Sequence, residues 1–227
     1  MNASTPRTYL TFRCDRACWY CSNGHDIRWD KADELTGAQW LKRIAELSGD
    51  EIVFTGGEPT LHAGFLEIVT HCPKRMWVYS NFAKPLWKFP VGLDIHWRAS
   101  CHAQSEEELG QWLENVAAMH ARKYPMTLTT VYCPPPLLPL LQARGVTVDE
   151  PQPRPVPIAG RTVCVFPRRL IGPDGRRWHC ASKMVVKDET GVVGHDGPDD
   201  TLLCEDATAC VACDGLSVKR VKSNGHG

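Results

Sequence analysis

Six strand-like runs, at Thr8–Arg13, Glu51–Thr55, Arg75–Asn81, Leu93–His102, Pro125–Cys133 and Val146–Glu150, alternate with amphipathic helical stretches at Thr36–Leu47, Leu61–Cys72, Ser105–Lys123 and Leu137–Arg144. This alternation is the strongest constraint on the fold, because parallel strands need crossovers long enough to hold helices. It predicts an α/β fold, a partial (β/α)6 barrel, with ligand-bearing loops after the C-terminal ends of the strands. A chain of 227 residues has room for that core and a small appendage.

Pro151–Pro157, reading Pro-Gln-Pro-Arg-Pro-Val-Pro, is stiff and extended and marks 151–160 as a linker. It separates an expected barrel at 1–150 from an appendage at 161–227. In the appendage, Thr162–Phe166, Arg168–Ile171 and Arg176–Cys180 read as short strands, the last two joined by the turn Gly172-Pro173-Asp174-Gly175.

Lysine plus arginine number 26 and aspartate plus glutamate 26, so no global field draws the chain to nucleic acid or membrane. Any polyanion contact must be local. Met1–Leu10 has no apolar targeting run, and Val131–Leu141 is broken by Pro134, Pro135, Pro136 and Pro139. The expectation is a cytoplasmic protein with no membrane span.

Eleven cysteines without a secretory signal point to metal ligands or reactive thiols rather than disulfides. Cys14, Cys18 and Cys21 form C-x3-C-x2-C directly after the first strand run. Three thiolates this close can hold three corners of an iron-sulfur cube and leave the fourth iron open to a small molecule. The alternative is a tetrahedral zinc site completed by His25. Gly56-Gly57-Glu58-Pro59 follows the second strand run. Paired glycines let the backbone approach a ligand, and the Glu58 carboxylate can receive an ammonium group, although the same residues also make an ordinary strand-to-helix turn.

The triplet, with aromatic Tyr20 before its last cysteine, and Gly56-Gly57-Glu58 together resemble the radical S-adenosylmethionine (SAM) superfamily. The resemblance implies a 4Fe-4S cluster on Cys14, Cys18 and Cys21, with SAM chelating the open iron and Gly56, Gly57 and Glu58 holding its amino end. It also implies a 5′-deoxyadenosyl radical that takes a hydrogen atom from the substrate, and an external one-electron donor such as flavodoxin or ferredoxin. Ser80-Asn81 resembles the family's third-strand ending, with Phe82 in place of glycine, and Ser100 and His102 fall where the fourth strand often meets SAM. Without that family, Ser100 is a capped strand end and His102 a satisfied loop histidine. Trp19, Trp29, Trp77 and Trp97 read as core or rim packing, and Cys72, Cys101 and Cys133 lack ligand spacing.

In the appendage, Cys164, Gly175 and Cys180 spell C-x10-G-x4-C, and Cys204, Cys210 and Cys213 spell C-x5-C-x2-C. This resembles the twitch form of the SPASM extension. It implies a second 4Fe-4S cluster on Cys164, Cys180, Cys210 and Cys213, with Cys204 able to replace one of them. The alternative is a zinc staple for a small appendage.

The leading expectation is a radical SAM enzyme acting on a compact polar substrate, nucleotide or nucleic-acid-linked, such as an amino-acid adduct on modified thymine. Arg154–Arg177 holds six arginines against one aspartate, and Arg168, Arg169, Arg176 and Arg177 on the hairpin would meet phosphate. A solvated hairpin face explains the same charges. The alternatives are a twitch-type dehydrogenase of a sugar or aminocyclitol, a peptide-modifying enzyme, and a non-enzymatic iron-sulfur or zinc module. The short stretch before the first strand leaves no room for the peptide-recognition domain of many peptide-modifying relatives, and Gly56–Glu58 speaks against the non-enzyme.

Overall fold

Strands β1 (Arg7–Thr11), β2 (Glu51–Gly56), β3 (Arg75–Ser80), β4 (Ile95–Cys101), β5 (Met126–Thr130) and β6 (Thr147–Val148) pair in that order, every pair parallel. The computed structural model describes residues 5–21, 23, 27–86, 89–130, 132, 134–148, 162–165, 170–193, 201–204 and 219–222, with segments 162–165, 201–204 and 219–222 given by backbone path only. The expected parallel sheet is present, and it is not closed.

Helices α1 (Gly37–Glu46), α2 (Phe65–His71), α3 (Glu106–Ala121) and α4 (Leu138–Gln142) form the crossovers. The start of α1 is set by a capping box. Thr36 Oγ1 accepts from Gln39 N at 3.3 Å, and Gln39 Oε1 accepts from Thr36 N at 2.8 Å. Ser105 caps α3 by accepting from Glu108 N at 3.2 Å, and Glu106, Glu107 and Glu108 suit the positive end of its dipole. Trp40 and Ile44 of α1, Ile68 of α2 and Met119 of α3 are fully buried against Leu10, Ile52, Val78 and Trp97 of the strands. Burial of a side chain such as Ile44 stabilises by about 1.5–3 kcal/mol. β4 alternates buried and half-buried residues along its whole length, so one face packs under the helices while His96, Arg98 and Ser100 lie on the other. Among the described residues the link from β3 to β4 carries no helix.

β7 (Thr162–Val165) is followed by the hairpin β8 (Leu170–Ile171) and β9 (Arg177–Trp178), then α5 (Ala181–Val185), β10 (Val192–Val193), β11 (Thr201–Cys204) and β12 (Lys219–Lys222). Their pairing differs from the expected division at 151–160. β8 joins the main sheet parallel to β1 and brings β9 and β10 with it, giving a nine-stranded order β10-β9-β8-β1-β2-β3-β4-β5-β6. Among the described residues, β7, β11 and β12 form a separate antiparallel sheet. The physical reason lies in a second apolar cluster, where Phe12 of the loop after β1 and Trp29 pack with Leu170, Trp178, Met184 and Val185. Backbone bonds lock the hairpin down, with Leu35 N donating to Pro173 O at 2.9 Å and Arg28 N to Val185 O at 3.1 Å. The proline-rich linker itself lies outside the described residues. Among the described residues, no helix is long and apolar enough to cross a membrane.

Candidate active site

Because β1 to β5 are parallel, the residues just past their ends share one edge of the sheet. That edge carries Cys14, Cys18 and Cys21 after β1, Gly56, Gly57 and Glu58 at the end of β2, and Asn81 after β3. Ser100 and His102 lie at the end of β4, and Tyr132 after β5. The sequence-predicted residues of the first site are therefore brought together. Tyr132 was not predicted, and its only sequence signal is an aromatic side chain at a strand's C-terminal end.

The glycine pair is dictated by the backbone beneath it. Gly56 has φ +123°, and a Cβ there would stand 2.3 Å from Thr11 O. At Gly57 a Cβ would stand 2.2 Å from Arg13 O and 2.5 Å from Phe12 O. This closeness lets Gly57 N donate to Thr11 O at 2.9 Å and Glu58 N to Arg13 O at 2.8 Å, stitching the turn to the start of the cysteine loop. Asn23, past the triplet, donates from Nδ2 to Gly56 O at 2.7 Å.

The Glu58 side chain, 2% exposed, is engaged by the protein itself. Oε1 accepts from Thr60 N at 3.1 Å and Thr60 Oγ1 at 2.7 Å, and Oε2 accepts from Asn81 N at 2.7 Å. Burial pushes this carboxyl above its ordinary range, against the pull of those donors. Glu58 thus braces the ends of β2 and β3 against each other.

Phe82, standing where the family pattern has glycine, takes the left-handed conformation itself, with φ +51°. It is held there by burial at 1% exposure and an edge-on contact with Trp97 at 5.4 Å. Asn81 turns towards the cysteine loop, with Nδ2 donating to Asp15 Oδ1 at 2.7 Å and to Cys14 Sγ at 3.7 Å. On the other side, His102 Nδ1 lies 2.8 Å from Tyr20 Oη and 3.6 Å from Cys18 Sγ. Burial, with the Arg16 charge adding, pushes His102 down to about 4, so the ring is neutral. Burial likewise pushes the Tyr20 phenol well above its ordinary range. Tyr20 stacks on His102 and meets Tyr132 at 5.3 Å. Trp19, 64% exposed, meets both tyrosines edge-on and lies at the rim rather than in the core. Trp29 and Trp97 are buried, as expected of packing residues.

Cys14, Cys18 and Cys21 are free thiols, Cys14 exposed and the other two half-buried. Among the described residues, no group of three or more His, Cys, Asp or Glu side chains converges on a point that suits one metal ion. Burial raises the thiols of Cys14 and Cys18, and a coordinating metal is the group that would hold them as thiolates. The donor set fits a cube. His25, the fourth ligand of the zinc alternative, lies outside the described residues.

The second set of sites is described only in part. Cys180 is a half-buried free thiol at the N-cap of α5, on the hairpin layer of the main sheet. Cys164 lies on β7 with its Cα opposite Leu202 and Arg220, and Cys204 ends β11 opposite Thr162. Cys210, Cys213, Arg168 and Arg169 lie outside the described residues, as does Cys133. The two remaining arginines do not form the expected phosphate surface. Arg176 is engaged by Asp174 and by both oxygens of Glu189, and it lies over the Trp178 ring at 5.3 Å. Arg177 is 4% exposed within the sheet.

The fold and site define a class, a parallel α/β sheet of partial-barrel type with a cysteine triplet and a Gly-Gly-Glu turn on its C-terminal edge. Residues 8–132 match the model of the radical SAM superfamily, and the chain, more than half of which is matched, belongs to that family. It is a radical SAM enzyme, and the family implies SAM, a 4Fe-4S cluster, a reductant and a substrate. The PqqA peptide cyclases of Gluconobacter oxydans (strain 621H) and Methylocella silvestris are each 40% identical to it over 75 residues. That stretch is 32% of this chain and 20% of each cyclase, so the chain spans only about a fifth of the curated relatives it matches. Among solved structures, Streptococcus suis SuiB bound to precursor peptide SuiA is 14% identical with a TM-score of 0.37, covering 65% of this chain and 49% of that one. SuiB bound to SAM gives 13% and 0.35, covering 64% and 50%.

Proposed function

We propose that Cys14, Cys18 and Cys21 hold the 4Fe-4S cluster, that SAM lies on the same sheet edge beside Gly56, Gly57, Ser100 and His102, and that the enzyme modifies a peptide. The observation that carries the cofactor assignment is the stitching of the Gly56–Glu58 turn to Thr11 and Arg13, which fixes the turn and the triplet in one frame. When bound, cluster and SAM supply hydrogen-atom abstraction, which is the hard chemistry. The chain's own residues do the rest. Asn81 and His102 hold the loop sulfurs from two sides, Glu58 braces the strand ends, and the rings of Tyr20, Tyr132 and Trp19 form an aromatic wall on this edge.

The peptide assignment draws its support from the likeness to the PqqA peptide cyclases. A phosphate-bearing substrate loses support because Arg176 is already paired with carboxylates and Arg177 is buried. We also propose a second 4Fe-4S cluster on Cys164, Cys180, Cys210 and Cys213, with Cys204 as the replacement ligand, a reading supported by the cysteine spacing alone.

The test is 5′-deoxyadenosine release by anaerobically reconstituted protein given SAM and dithionite, with mixed synthetic peptides in one arm and duplex and single-stranded DNA in the other. Release stimulated by peptide, with no DNA binding at low salt, is expected. Stimulation by DNA, with binding that weakens steeply as salt rises, would return the substrate to the nucleic-acid class.

A further inference from the structure

Asn81 closes β3 with its backbone N–H and both side-chain amide atoms engaged by the protein. Its backbone N–H goes to Glu58 Oε2 at 2.7 Å, Oδ1 accepts from Ala83 N at 2.8 Å, and Nδ2 donates to Asp15 Oδ1 at 2.7 Å and Cys14 Sγ at 3.7 Å. An amide NH2 has two hydrogens, and two acceptors are in reach of this one. With both amide atoms engaged the side chain cannot flip or swing towards a ligand. Its anchor is rigid, because Glu58 is itself buried and tied to Thr60. Asn81 is also 8% exposed, so the donor amide is withdrawn from water, although Cys14 itself is exposed.

We propose that Asn81 is a positioning residue for the first cysteine of the triplet, its side-chain amide holding the Cys14 sulfur as an N–H···S donor and so setting the reduction potential of the cluster. This rests on the assignment of Cys14 as a cluster ligand. Donors to cluster sulfurs stabilise the more negative, reduced state and raise its potential. The role differs from a direct SAM contact.

The test compares the full chain, Asn81→Asp and Asn81→Ser, each reconstituted anaerobically, by redox titration followed by EPR and without substrate. Asn81→Asp keeps the shape and the acceptor for Ala83 N but turns an oxygen towards Cys14. The reduced fraction at a fixed poise is expected to fall about tenfold, ~59 mV for one electron. Asn81→Ser should shift the same way by less, and pulsed EPR should lose a solvent-exchangeable proton coupling in both variants. If Asn81→Asp does not fold, Asn81→Ser decides alone. Folded variants that fail to retain iron also support the proposal, since the sulfur is then no longer held. Unchanged potential and proton coupling at full iron content overturn it and leave the cluster assignment standing. A parent chain that takes up no iron would remove the assignment beneath it.

Discussion

Arg13 grips Glu34 through both arms of its guanidinium, Nε to Oε1 at 3.2 Å and Nη2 to Oε2 at 3.0 Å. Arg13 immediately precedes Cys14, and Glu34 stands just before α1, so the pair ties the two ends of the long cysteine loop together. The same Nη2 donates to Leu61 O at 2.9 Å, and the Thr11 hydroxyl also donates to Glu34. The Glu34 side chain is only 6% exposed, while that of Arg13 is 38% exposed.

Removing Glu34 should therefore cost more than a surface pair and less than a fully buried one. Glu34→Ala is expected to destabilise the metal-free protein by roughly 1.5–3 kcal/mol, read as a lower urea midpoint. It should also slow iron uptake, because the loop loses its clasp. A midpoint within error of the parent would show that the clasp contributes nothing.

The two glycines Gly57 and Gly110 give opposite expectations for one substitution. At Gly57 a methyl would meet backbone oxygens that cannot move, so Gly57→Ala should destabilise by about 1–3 kcal/mol and abolish SAM binding. At Gly110, inside α3, a Cβ meets nothing within 4 Å, so Gly110→Ala should stabilise by about 0.5–1 kcal/mol with iron content unchanged. Thermal melts with iron assays on both variants check the contrast.

Glu58→Ala strips acceptors from Asn81 N and from Thr60 N and Oγ1. A buried donor left unpaired, as Asn81 N would be, costs about 1–3 kcal/mol, and the half-buried Thr60 donors cost less. The expected result is joint loss of stability, iron retention and SAM affinity. A variant that keeps its iron and its melt and loses only SAM affinity would return Glu58 to the ammonium-binding role.

Asp188 is pushed down to about 2, first by the Lys183 ammonium and then by Thr190. A carboxyl depressed in the folded state adds stability above its unfolded pKa of ~3.9, and that contribution is lost as pH falls through about 2. The pair is partly exposed, so Asp188→Asn should cost only about 0.5–1 kcal/mol at neutral pH. The gap between parent and variant should shrink as pH is lowered from about 5 to about 2, followed by denaturant titration of metal-free protein. A gap that stays constant to the acid end would mean that the charge plays no part.

The barrel elements were legible because periodicity is local. The β3 run needs only Met76, Val78 and Ser80 on one face, and α1 only its capping box and apolar stripe. Partner choice is not local, so the turn Gly172–Gly175 was visible while the docking of β8 beside β1 was not; that depends on Phe12 and Trp29 meeting Trp178 across the fold. A carboxylate after two glycines reads the same whether open or buried, so the bonds from Glu58 to Thr60 and Asn81 were not legible in the sequence. For Arg176 the reason is similar, since composition counts its charge and not the Asp174 and Glu189 that neutralise it.

The most direct test measures iron, zinc and 5′-deoxyadenosine in the parent chain and in the variant with Cys14→Ala, Cys18→Ala and Cys21→Ala combined. With two clusters, about eight irons per chain are expected in the parent and about half in the variant. SAM cleavage should be present in the parent and absent from the variant. Stoichiometric zinc with negligible iron, or undiminished cleavage in the triple variant, would contradict a radical SAM centre on these three cysteines.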